Sequence, residues 1–83
     1  MIEFTYTITD PMGLHARPVG LLARLLSMKG LEAKILFNGK EADARRMYQV
    51  LALNVKTGET ITVMVKDEAL KEEILTFFKE QNL

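Results

Sequence analysis

His15 is the only histidine of the chain and Ser27 the only serine, and there is no cysteine. This short inventory excludes most covalent chemistry. Thiolate nucleophiles, disulfides, zinc fingers and cysteine-held iron–sulfur clusters all need the missing thiols. A seryl hydrolase needs a serine with a histidine base and an orienting carboxylate, and Ser27 lies twelve residues beyond His15 on the same expected helix. A transition-metal site would rest on one imidazole and carboxylates, so no metal and no cofactor is expected. Glu68, Glu72 and Glu73 share helical spacing with Lys71 and read as a solvated helix face. The five glycines are scattered and form no phosphate-cradling loop, so nucleotide hydrolysis has no site.

What remains is Gly13-Leu14-His15-Ala16-Arg17-Pro18. It stands where a turn ends and a helix begins. The turn is Asp10-Pro11-Met12-Gly13, and beyond it Ala16, Val19, Leu22, Ala23 and Leu26 recur at the spacing of one helical face. Pro18 suits a first turn, where a missing N–H costs nothing, and Gly30 suits the stop, so a helix is expected over 16–29. His15 therefore sits at a helix N-terminus. Unpaired N–H groups of Ala16 or Arg17 and the positive end of the helix dipole attract an anion such as a phosphoryl group carried by the imidazole. The same field favours the neutral ring, the form with a free nitrogen lone pair. Arg17 adds a permanent charge with forked donors suited to phosphate oxygens, and Gly13 lets the backbone turn sharply before the histidine.

The elements that must hold this motif are legible from periodicity. Ile2, Phe4, Tyr6 and Ile8 alternate with Glu3, Thr5, Thr7 and Thr9 as in a half-buried strand. After the first helix, Ala33, Ile35 and Phe37 alternate with Glu32, Lys34 and Leu36. Asn38-Gly39 then predicts a tight type I′ turn into a strand at Lys40 to Ala42. A short helix is expected from a capping Asp43 to about Leu53, with Val50 and Leu53 inward and Met47, Tyr48 and Leu51 as a second group. Ile61, Val63 and Val65 mark a fourth strand, and Asp67 caps a last helix whose stripe is Leu70, Ile74, Phe77 and Phe78.

The order is βαββαβα, an α+β fold in which an antiparallel sheet buries one face under helices and wets the other. The wet face would carry Glu3, Thr5, Thr7, Lys34, Thr60 and Thr62, while the strand aromatics point inward. An RNA-binding sheet would put its aromatics on the wet face. The 83 residues, with 11 basic against 11 acidic side chains, are expected to form a single domain, 1–83, that does not bind nucleic acid. No basic n-region with a long apolar stretch opens the chain and no segment reaches the length of a membrane span. A soluble cytoplasmic protein with no membrane insertion is expected.

Gly13-Leu14-His15-Ala16-Arg17-Pro18 resembles the active-site motif of HPr, the histidine-containing phosphocarrier of the phosphoenolpyruvate-dependent sugar phosphotransferase system. The likeness runs over essentially the whole chain, including Asn38-Gly39-Lys40, the short central helix and the capped last helix. It implies an open-faced β-sandwich, a four-stranded antiparallel sheet with three helices on one face. It also implies a carrier rather than an enzyme: His15 accepts a phosphoryl group on Nδ1 from phosphorylated enzyme I and passes it to enzyme IIA domains. Arg17 would pair with the phosphoryl group, with Gly13 and Ala16 contributing to its seat. Met47, Tyr48 and Leu51 resemble the apolar patch that docks these partners. Residues 15–48 hold seven Lys and Arg against three Asp and Glu, so Arg24, Arg45 and Arg46 would form a basic rim that steers an acidic partner. A monomer is expected. Four positions depart from the family pattern: Arg46 stands where many HPr proteins carry a regulatory serine, Met12 where a small polar residue is common, and Gln49 and Asn54 where the central helix frequently has small residues. A second reading is an HPr-like regulatory module that docks transcription factors or enzymes without a role in sugar transport.

Overall fold

The computed structural model describes all 83 residues. The order is β1 (Ile2–Thr7), α1 (Ala16–Lys29), β2 (Ala33–Phe37), β3 (Lys40–Asp43), α2 (Met47–Leu51), β4 (Thr60–Val65) and α3 (Glu68–Glu80). The strands form one antiparallel sheet in the order β1-β4-β2-β3. β4, last in sequence, thus lies in the middle, paired to β1 through Phe4 opposite Val63 and to β2 through Ile35 opposite Val63. Alternation does the rest, because successive side chains leave a strand on opposite faces. Phe4, Ile35, Ala42, Ile61, Val63 and Val65 are buried on one face, whereas Glu3, Thr5, Thr7, Lys34 and Thr60 are exposed on the other. The fold is the open-faced α+β sandwich that the strand pattern predicts.

The helices close the apolar face. α1 contributes Val19, Leu22 and Leu26, and α3 contributes Leu70, Ile74 and Phe78, to a hydrophobic cluster whose largest fully buried members include Phe78, Ile8, Leu26 and Ile35. The Asp67 carboxylate caps α3 by accepting the Leu70 N–H at 2.9 Å. Gly30 closes α1 in the left-handed region at φ +66°, and its N–H donates to the Ser27 carbonyl. Asn38 and Gly39 both have positive φ, +53° and +78°, as a type I′ hairpin turn requires. Phe77 lies at the edge of the expected stripe of α3 and packs against the core. It is half-buried and lines a groove between α3 and α1 with Leu21, Arg24 and Met28.

The central helix also differs from expectation. It spans Met47–Leu51 with Arg46 at its N-cap, not Asp43 to Leu53. Asp43 ends β3, and the Ala44 N–H still extends the sheet by donating to the Ala33 carbonyl at 2.9 Å. The Asp43 carboxylate closes a turn with the Arg45 N–H instead of capping a helix. An aspartate here favours a local backbone bond, and the bond it makes belongs to a turn.

Candidate functional site: the loop from β1 to α1

The loop between β1 and α1 is tied down at several points. The Leu83 carbonyl accepts the Thr9 N–H, the Asp10 N–H at 3.2 Å and the Thr9 hydroxyl at 3.1 Å. Leu83 itself is 1% exposed. The Asp10 carbonyl accepts the Gly13 N–H at 2.8 Å, and the Leu14 N–H donates to the Val55 carbonyl at 3.0 Å. Gly13 is required on two counts. Its φ of +71° is in the left-handed region, and a Cβ there would stand 2.7 Å from the Val55 carbonyl oxygen and 3.0 Å from the Lys56 Cα. Buried Leu14 then anchors the chain just before His15.

His15 is the N-cap of α1. Its carbonyl accepts the Val19 N–H, and its ring makes no capping bond. The N–H groups of Ala16 and Arg17 have no acceptor in the chain, and Pro18 has no N–H to offer. Two donors therefore remain at the mouth of the helix. Arg17 is exposed on the first turn without an ion pair, and Pro18 is buried.

The ring is held by Asp10, whose type and place predict only turn chemistry. His15 Nε2 lies 3.0 Å from Asp10 Oδ2, with side-chain exposures of 24% and 17%. The other carboxylate oxygen, Oδ1, accepts the Met12 N–H at 2.9 Å. That backbone bond and the bond from His15 hold the Asp10 carboxyl below its ordinary range. An ionised carboxylate only accepts hydrogen bonds, so the neutral His15 ring carries its proton on Nε2 and leaves the Nδ1 lone pair free. Turn propensity marks Asp10 as a local backbone device, and only the folded loop brings its second oxygen to a residue five positions on.

The other candidate residues fall into two groups. α2 crosses α1 closely, since a Cβ at Gly20 would meet the Met47 sulfur at 3.2 Å. Met47 and Leu51 are half-buried, whereas Tyr48 is 79% exposed. Leu51 lines a shallow depression with Pro11, Met12 and Leu14, so this helix adjoins the His15 loop. Met12, 73% exposed, extends the apolar surface toward it. The arginines are less united. Arg45 is held by Asp43 at 2.9 Å and lies 3.6 Å from Glu32, while Arg46 caps α2 and makes no ion pair. Arg24 stands on α1 nine residues after His15, roughly 13 Å along the axis, beside the α1–α3 groove.

The family model for the HPr component of the phosphotransferase system, described by its phosphorylation site, matches residues 2–80. The chain belongs to the HPr family. HPr proteins are phosphocarriers of the phosphotransferase system rather than enzymes. Among relatives, the phosphocarrier protein HPr of Mycoplasma capricolum is 38% identical over 63 residues, 76% of this chain and 71% of the relative. The phosphoryl donor subunit of the phosphoenolpyruvate-dependent dihydroxyacetone kinase of Providencia stuartii is 36% identical over 61 residues, 74% of this chain but only 13% of that much longer protein. The solved structure of a mycoplasma histidine-containing phosphocarrier protein superimposes with a TM-score of 0.87 at 29% identity, covering 99% of this chain and 97% of that one. The likeness to HPr inferred from the His15 motif therefore holds over the whole fold.

Proposed function

We propose that this HPr-family chain accepts a phosphoryl group on His15 Nδ1 from phosphorylated enzyme I and donates it to enzyme IIA domains of sugar permeases. One observation supports this reading above the others: His15 stands half-exposed at the helix mouth, beside two unpaired N–H groups, with Nε2 occupied by Asp10 and Nδ1 left over. The Nδ1 lone pair forms the new N–P bond while the bond from phosphorus to the donor atom breaks, its electron pair staying with the donor. The Ala16 and Arg17 N–H groups and the Arg17 guanidinium meet the charge on the phosphoryl oxygens, with Gly13 giving the backbone its close turn. A carrier must also release the group. The open site suits this, because positioning and charge stabilisation are completed only when a partner covers it.

Tyr48, Leu51 and Met47 supply the apolar centre on which those partners dock, and Arg24, Arg45 and Arg46 the basic surroundings. The likeness to a dihydroxyacetone kinase donor subunit favours one further acceptor class, a relay that phosphorylates a kinase instead of a permease. The His15 chemistry is the same in both. Incubation with phosphoenolpyruvate and enzyme I, followed by intact mass and phosphorus NMR, is expected to show one phosphoryl group added to the parent chain and none to His15→Ala. Phosphorylation of a folded His15→Ala protein would overturn the assignment.

A further inference from the structure

From the Asp10–His15 contact we infer that Asp10 is a positioning residue for phosphoryl transfer: it fixes the His15 ring by accepting Nε2–H, and it faces the positive charge the ring acquires when Nδ1 is phosphorylated. This rests on the function proposed above. A neutral ring that attacks phosphorus through Nδ1 while keeping its proton on Nε2 becomes a phosphoimidazolium, one unit more positive than before. No base need remove that proton during the step. On onward transfer the Nδ1–P bond breaks, its electron pair returns to His15, and the ring is neutral again with its proton still on Nε2.

A positive ring at the mouth of α1 stands against the positive end of the helix dipole. Something must offset that repulsion, and the Asp10 carboxylate is 3.0 Å from the nitrogen that retains the proton. Its side chain is only 17% exposed, so its charge is less screened there than on an open surface. The carboxylate is itself held in place. Oδ1 accepts the Met12 N–H, the Asp10 carbonyl accepts the Gly13 N–H, and the Asp10 N–H donates to Leu83. A ring that turns about its side-chain bonds when free is thus pinned at one nitrogen with the other turned to its partner. A carboxylate that orients a metal-bound histidine does the same for a different electrophile.

Asp10→Ala removes the acceptor, the charge and the turn bond, whereas Asp10→Asn removes the charge and one of the two acceptor oxygens, so that its single carbonyl oxygen serves either Nε2–H or the Met12 N–H. Phosphoryl acceptance from phosphorylated enzyme I is measured for both at varied carrier concentration, with the nitrogen-15 shifts of the His15 ring recorded at a pH where the ring is neutral. Arg17, on the first turn of α1, and Lys56, on the loop behind Gly13, are unchanged throughout. In Asp10→Ala, kcat is expected to fall roughly 10-fold with KM unchanged, by analogy with carboxylates that orient metal-bound histidines. Its two ring shifts should converge as the Nδ1–H tautomer becomes populated. Asp10→Asn, which lacks the charge in either orientation of its amide, is expected to lose part of kcat, and it carries the test if the alanine variant does not fold. Parent kcat in folded Asp10→Ala would overturn the proposal, and parent kcat in Asp10→Asn would overturn the countercharge. Should the parent chain accept no phosphoryl group at all, the function proposed above fails. The ring shifts then still decide whether Asp10 sets the tautomer, and parent-like shifts in Asp10→Ala would reject it.

Discussion

At the scale of single residues, Gly13 bears the strictest demand in the candidate site. It combines a left-handed φ with backbone 2.7 Å from where a Cβ would be, and that neighbour is a carbonyl oxygen, not a side chain that can swing aside. Gly13→Ala must both strain the backbone and push the 55–56 segment away. Strain of that kind costs of order 1–3 kcal/mol before the collision is counted. A lower Tm is expected together with slower phosphoryl acceptance, because the shift passes directly to Leu14 and His15. Gly39→Ala is the natural comparison, since its φ is also positive but nothing lies within 4 Å of its would-be Cβ. Denaturant midpoints for the two variants check this, the expectation being a larger loss at Gly13. The sequence carried the motif at this scale but not the partner of the histidine. Turn propensity treats Asp10 as a local backbone device, and its second oxygen reaches His15 only in the folded loop.

At the scale of elements, β1, α1, β4 and α3 were legible because each has one buried face, and a buried face writes its period into the sequence. α2 was not, because five residues give barely more than one turn, and the Asp43 that advertised a cap is spent on a different bond. Its carboxylate takes the Arg45 N–H and, at 2.9 Å, the Arg45 guanidinium. The guanidinium bond is the main reason the Asp43 carboxyl is held below its ordinary value near 3.8, and Arg45 is raised in return. A folded-state pKa below the unfolded one means that the stabilisation is fully present above the unfolded pKa and is lost as pH falls through the folded pKa. Asp43→Asn is therefore expected to be less stable than the parent at neutral pH, with the difference shrinking below about pH 4 as the parent's carboxyl gains its proton. Urea midpoints across that range test the sign, and a gap that widens toward acid would contradict the ion pair's role.

At the scale of the whole molecule, the site and the far end of the described chain are one structure. Leu83 seats its side chain in the core at 1% exposure while its carbonyl receives the Thr9 and Asp10 N–H groups. The packing of α3 and the position of the His15 partner are thus coupled through a single residue. Truncating a buried Leu to Ala typically costs about 2–5 kcal/mol, a large share of the stability of so small a domain. Ile74, fully buried on α3, provides the control, because it supports the same cluster without bonding the loop. Leu83→Ala and Ile74→Ala are both expected to lower Tm. Only the first should speed amide hydrogen exchange at Thr9 and Asp10 under conditions where the rest of the sheet stays protected, and only it should broaden the His15 ring resonances. Equal protection of those two amides in both variants would show that the loop is held by its own turn bonds, with Leu83 serving the core alone.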